Sequence, residues 1–224
     1  MKTNKCLFLI SAVLLILVPF LTITPNARGS DREDWKGKIY WVHYGREKIA
    51  QANHDGSNRT FFADTGSNPV GVSVDVKNGF MYWSNLGVNN RPYTKALDGS
   101  IQRCQMDNCP GTTITIVDKG KTASPFQLTL DGVNRYIYWT DGGRDMVLRS
   151  KYDGSNVETV LIFKNKSMVF PIGCYIDEEN GILYWSERNS DRIGRIKLSD
   201  IKMPYTPQES DYIVTEGLNG AGHI

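Results

Sequence analysis

A Tyr-Trp pair occurs in this chain at Tyr40-Trp41, Tyr82-Trp83, Tyr138-Trp139 and Tyr184-Trp185, and the neighbours of each pair recur with it. Asp75, Asp131 and Asp177 stand at one fixed distance before the Tyr. Asn78, Asn134 and Asn180 follow them, and then Gly79, Arg135 and Gly181. Further upstream lie Pro69, Pro125 and Pro171, with Gly71 and Gly173 two places on and Gln127 in the matching place of the third unit. Downstream, Asp55-Gly56, Asp98-Gly99 and Asp153-Gly154 read as a second turn, for which the fourth unit has Ser199-Asp200. Self-similarity at such a period means an array of supersecondary units, none of which buries its apolar surface alone.

Asn-Gly between two apolar runs is a strong hairpin signal, because both central residues of a type I′ turn need positive φ. Each unit therefore reads as strand, Asn-Gly turn, Tyr-Trp strand, variable turn, strand, Asp-Gly turn, strand. Adjacent Tyr and Trp must point to opposite faces of their strand. Ile39, Met81, Ile137 and Leu183 precede the Tyr, so both faces carry large apolar groups. A sheet with one wet face does not need that, whereas a propeller blade held between two neighbours does. The expectation is an all-β propeller of about four blades, each a four-stranded antiparallel meander, with Tyr and Trp filling opposite seams. Thr140 and Asp141 read as finishing the turn after their strand. The second unit is the longest because it holds a loop from Asn89 to Tyr93 and an insertion from Cys104 to Gly111.

Composition narrows the class. The net charge of +2 gives no case for an electrostatic nucleic-acid binder. The 21 glycines and 11 tyrosines suit a turn-rich β protein. The N-terminal residues read separately from the fold: a basic lead through Lys5, an apolar run from Cys6 to Ile23, then Pro25, Ala27 and Gly29. That is the pattern of a secretory signal cleaved after Gly29, with a membrane signal anchor as the runner-up. Residues 1–29 are thus assigned to the signal and 30–224 to the repeats, in units of about 30–66, 67–120, 121–166 and 167–217, with 218–224 starting a further strand. The mature chain then carries no membrane span and is secreted. Cys104 and Cys109 can close a small disulfide in an oxidising compartment. Cys174 reads as a buried core thiol. Asn58-Arg59-Thr60 and Asn165-Lys166-Ser167 are candidate glycosylation sites in turn or loop positions.

With these elements in place, the chain resembles the class B repeats of the low-density lipoprotein receptor, which form YWTD β-propellers. Tyr138-Trp139-Thr140-Asp141 matches the signature in full, Tyr184-Trp185-Ser186-Glu187 closely and Tyr82-Trp83-Ser84-Asn85 more loosely. Tyr40-Trp41-Val42-His43 keeps only the aromatic pair. The resemblance implies a non-catalytic extracellular platform that binds a protein or peptide. The family's propeller has six blades, and this chain has four Tyr-Trp units. The C-terminal Gly220-Ala221-Gly222-His223-Ile224 aligns with the start of another innermost strand, with Gly222 at the glycine position. Three outcomes are open: a four-bladed ring closed by that segment, an arc that self-associates through its incomplete edges, or one part of a longer product. The arc is the expected one, since blades shaped for sixfold closure bend poorly to fourfold.

No catalytic constellation emerges. His43, His54 and His223 lack metal-ligand spacing, and no metal site is assigned. The recurrent acids Asp75, Asp131, Asp177, Asp141 and Glu187 could line an axis and hold calcium. The plainer reading is that each serves its own turn or bridges adjacent blades. No cofactor is therefore assigned. A metal-dependent, lactonase-like hydrolase and a structural matrix component remain as alternatives. For binding, the residues that vary between units are the candidates: Arg46, Arg91, Arg144, Arg188 and Arg192 follow the Tyr-Trp pairs, and Arg is suited to anchoring partners.

Overall fold

A computed structural model of the chain describes residues 37–88, 96–164, 169–215, 217–218 and 222. The N-terminal signal assignment, Arg91, Asn165 and His223 lie outside the described residues. The chain forms successive antiparallel sheets. The first holds β1 (Lys38–His43), β2 (Lys48–Asn53) and β3 (Thr60–Asp64). The second holds β4 (Pro69–Asp75), β5 (Phe80–Asn85), β6 (Ser100–Gln105) and β7 (Ile114–Val117). The third holds β8 (Pro125–Asp131), β9 (Tyr136–Asp141), β10 (Met146–Lys151) and β11 (Glu158–Ile162). The fourth holds β12 (Pro171–Asp177), β13 (Ile182–Glu187), β14 (Arg192–Lys197) and β15 (Tyr212–Val214). The Tyr-Trp strand is second in each four-stranded sheet and first in the three-stranded one, so among the described residues the first sheet has no innermost strand. Among the described residues, packing runs from each sheet to the next in chain order, and the arc is not closed.

Each seam is made by the Tyr of one unit and the Trp of the next. Tyr40 clusters with Val72, Met81 and Trp83, Tyr82 with Leu128, Ile137 and Trp139, and Tyr138 with Cys174, Leu183 and Trp185. The period-2 alternation of a strand enforces this division. Tyr therefore faces forward along the arc and Trp backward. Trp83, Trp139 and Trp185 are all 0% exposed.

Thr140 and Asp141 do more than finish a turn, because both tie units together. The Thr140 hydroxyl donates to the Ile172 carbonyl of the next innermost strand at 2.7 Å. Ser84 makes the matching bond to the Phe126 carbonyl. Val42 stands at this position in the first unit and has no hydroxyl to donate. Asp141 accepts from Thr122 Oγ1 and Ala123 N through Oδ2, and from Ser124 N through Oδ1. It thereby anchors the linker that enters its own unit. Asn85 does the same for Gly66 N. Glu187 instead turns to Trp185 Nε1 at 3.1 Å and the Tyr212 hydroxyl at 2.6 Å.

The structure revises three sequence expectations. The Asn-Gly segment is not a type I′ turn, since Gly79, Arg135 and Gly181 have positive φ but the asparagines before them do not. Asp75 pairs with Phe80 across a four-residue loop, and the Asn folds back onto the Asp carboxylate. The Asp98-Gly99 turn does not correspond to Asp55-Gly56 and Asp153-Gly154. It precedes the third strand of its sheet, and the third-to-fourth turn there is the disulfide loop. Gly222 is displaced by one residue from the glycine position. The Ser186 hydroxyl donates to its carbonyl, as Ser84 and Thr140 do to Phe126 and Ile172, which precede Gln127 and Gly173.

Candidate binding face

Chain direction sorts the loops onto two ends of the arc. One end gathers the first-to-second and third-to-fourth turns. The other gathers the second-to-third turns and the linkers between units. Three of the recurrent carboxylates occupy the first end and are consumed there. Asp75, Asp131 and Asp177 each accept the backbone N–H of the Asn three residues on through one oxygen and its side-chain amide through the other. The Asn180 side-chain bond is the main cause that holds the Asp177 carboxyl below its ordinary pKa. Asp75 also meets Arg135 of the next unit at 3.5 Å, and that guanidinium stacks 4.4 Å from the Tyr152 ring. The plainer reading of these acids thus matches the geometry. Among the described residues, no three His, Cys, Asp or Glu side chains group as metal ligands.

The second-to-third turns carry the candidate arginines to the linker end. Arg46 lies in an exposed 3-10 turn, 5.5 Å above the Phe61 ring. Arg144 is half-buried and donates to the Lys121 carbonyl at 3.0 Å. Arg188 is half-buried, with its backbone N–H on the Phe170 carbonyl. Arg192 pairs with Glu209 at 3.0 Å and stacks 4.5 Å from Tyr212, so it fastens β15 and its approach to the sheet. The linker end thus presents Arg46, Arg144 and Arg188, while Arg192 is engaged internally. At the same end, Leu86, Phe126, Phe170 and Ile172 form a buried apolar cluster.

Cys104 and Cys109 are joined in a disulfide with a Cα–Cα distance of 4.9 Å, and both are buried. It closes a loop at the turn end, away from the arginines. Cys174 is 0% exposed in the third seam, and burial pushes its thiol up to about 12. Asn58 is exposed in a turn, at φ 53°. Sequence reasoning missed the exposed aromatic beside Arg46, Phe61 at 47%. The signal was there, since adjacent Phe61 and Phe62 on one strand must face opposite ways, and Phe62 packs into the first core.

No family model matches the chain. Low-density lipoprotein receptor-related protein 1 of Pyricularia oryzae is 28% identical over 183 residues, covering 76% of this chain and 58% of that protein. The chain thus spans little more than half of this curated relative. A chain of a nidogen/laminin complex is similar with a TM-score of 0.60 and 19% identity, over 79% of this chain and 62% of that one. Streptogramin B lyase is similar with a TM-score of 0.54 and 21% identity, over 77% and 52% of the two chains. Virginiamycin B lyase from Staphylococcus aureus gives 0.53 and 20%, over 78% and 54%. The curated relative and the nidogen likeness support a YWTD-like β-propeller, and the lyase structures share the propeller fold.

Proposed function

We propose that the chain is a non-catalytic extracellular β-propeller module that binds a protein or peptide through the linker end of its arc. One observation carries this reading. The Asp and Asn that repeat in the first turns are used up by the fold, whereas Arg46, Arg144 and Arg188 all follow second strands, in the turns of the linker end. Repeat positions serve the repeat, and variable loops on one face serve the partner. The relatives agree in kind, through a receptor-related protein and a propeller crystallised in a complex with laminin. The disulfide suits an oxidising compartment, as does the signal pattern read from the sequence. The partner chemistry that fits is acidic: guanidinium groups favour carboxylate-bearing segments.

Affinity capture from an extracellular fraction, read by mass spectrometry, tests this. A protein retained by the wild-type chain and lost with Arg46→Glu, Arg144→Glu and Arg188→Glu combined supports the reading. Retention indifferent to that combination contradicts it. Hydrolysis or lyase activity of the purified chain that is lost with Asp131→Ala would replace it with the enzymatic alternative.

A further inference from the structure

Two turns in this molecule share one geometry, and only one of them carries an acceptor for a sugar. The turn between β2 and β3 runs Asp55-Gly56-Ser57-Asn58, and the turn between β10 and β11 runs Asp153-Gly154-Ser155-Asn156. The same bonds hold both. Asn53 N donates to the Ser57 carbonyl and Gly56 N to the Asn53 carbonyl, each at 2.9 Å, and Lys151 N and Gly154 N make the matching bonds to Ser155 and Lys151. Ser57 N and Ser155 N each donate at 2.9 Å to the Asp carboxylate two residues back. Asn58 and Asn156 both take φ 53°, in the left-handed region where asparagine is enriched. Both are exposed. Two residues further on the turns diverge, to Thr60 in the first unit and Glu158 in the third. Only the first turn therefore reads Asn-x-Thr, with Arg59 as the middle residue.

We propose that Asn58 carries an N-linked glycan that covers the entry to edge strand β3. The bond that forms joins Asn58 Nδ2 to the anomeric carbon of the first sugar. The bond that breaks joins that carbon to the pyrophosphate of a lipid-linked oligosaccharide donor. Nδ2 gives up one proton, and the lipid pyrophosphate leaves. Donor and transferase belong to the secretory pathway, so the proposal rests on the extracellular reading above, which the Cys104–Cys109 disulfide supports. The site admits the modification in two respects. Asn58, Arg59 and Thr60 are all exposed, and a bulky, hydrated glycan is carried only on the surface. The turn is held by Asn53, Asp55, Gly56 and Ser57, and among the described residues the Asn58 carboxamide makes no hydrogen bond. Converting it to a glycosylated amide breaks no bond that holds the turn.

The glycan has an edge to cover. β3 is the outer strand of its sheet and pairs with β2 alone. Its outer edge presents backbone N–H and C=O groups, a template on which another chain can pair, and Phe61 on the same strand is exposed. The third sheet meets the same problem with its own chain. Tyr205 lies along β11, where Ile162 N donates to the Tyr205 carbonyl and Tyr205 N to the Val160 carbonyl, both at 2.9 Å. Among the described residues no such bridge lies along β3. Asn58 stands two residues before β3 begins at Thr60, so a glycan there puts hydrated bulk at the start of that edge. The turn belongs to the end of the arc away from Arg46, Arg144 and Arg188, so the glycan leaves the binding face open.

The test expresses the full chain in a eukaryotic secretory host and maps its peptides by mass spectrometry, before and after an N-glycosidase that leaves Asp in place of the modified Asn. Asn58 should be occupied before treatment and read as Asp afterwards, with Asn156 unmodified throughout. Asn58→Gln and Thr60→Ala should each abolish the glycan, and Thr60→Ser should retain it. Removing the glycan from the folded protein should lower the concentration at which the chain begins to associate in sedimentation velocity. Secreted chain with an unmodified Asn58 overturns the proposal and leaves the extracellular reading standing. A chain that never enters the secretory pathway overturns both. An occupied Asn58 whose removal leaves association unchanged keeps the site and overturns its covering role.

Discussion

The interior seams and the end faces of this molecule are built from the same residue types with opposite results. Between the second and third units, Tyr82 and Trp139 meet in a closed apolar cluster, and both are 0% exposed. At the ends, Trp41 and Tyr184 carry the same side chains, and both keep contact with solvent. The difference lies in the neighbour, not in the strand. The four-stranded units pair their strands internally but are incomplete in packing, so burial is decided by what stands beside each. Stability in such an array is a sum of unit and interface terms, and the interface terms here belong to identifiable pairs.

Four contrasts between the closed seams and the end faces are measurable. The largest effect is expected from truncating the backward-facing tryptophans. Trp139→Ala should cost about 3–5 kcal/mol in urea unfolding, as expected for an aromatic removed from a closed core. Trp41→Ala, measured at dilution, should cost less than about 1 kcal/mol. Equal losses would mean that the first unit has a hidden neighbour. The glycine turns come next. Gly154→Ala and Gly56→Ala share the strain of positive φ, about 1 kcal/mol each. Gly154→Ala alone drives a methyl into the Ile116 carbonyl, and should cost a further 1–3 kcal/mol or so. The hydroxyl tie gives a smaller contrast. Ser84→Ala strands the Phe126 carbonyl and Gly71 N–H that it serves, a loss of about 1–2 kcal/mol. Val42→Thr supplies that tie to the first seam, where Val70 matches Phe126, and should gain about 0.5–1 kcal/mol. The smallest contrast is the Cys174 thiol. Its pKa is raised from 9.0 to about 12, so the folded state holds its proton more tightly than the unfolded state. That contribution is fully present below pH 9 and is lost as the pH rises from 9 towards about 12. At pH 8 the native thiol should not react with a disulfide reagent, and urea-unfolded chain should react at once.

Much of this architecture was legible from spacing. The alternation of Tyr with Trp already required two buried faces, and the fixed place of Asp75, Asp131 and Asp177 already marked a turn. The errors have physical causes. Asp-Gly is a turn signal wherever the backbone needs positive φ, so Asp98-Gly99 looked like its namesakes while serving a different loop. Asn-Gly suggested a two-residue hairpin because φ is invisible in sequence; Arg135 at φ 62° shows that the last loop residue carries the left-handed geometry. Gly222 was displaced by one because a lone glycine gives no register, which the Ser186 bond supplies. That Asp141 anchors a linker while Glu187 turns to Tyr212 depends on one methylene and a partner 25 residues away. Neither is readable without coordinates. For the binding face, the arginines were legible as a set, but the internal engagement of Arg192 with Glu209 and Tyr212 was not.

The central claim is that Tyr belongs to the seam ahead and Trp to the seam behind. A pair of double-mutant cycles tests it most directly, using Tyr138→Leu with Trp185→Phe and Tyr138→Leu with Trp139→Phe. Tyr138 should couple to Trp185, in the next unit, by about 0.5–3 kcal/mol, the range for residues sharing a core. It should be additive within about 0.5 kcal/mol with Trp139, its neighbour in sequence but on the opposite face. Coupling to Trp139 with additivity toward Trp185 would contradict the account.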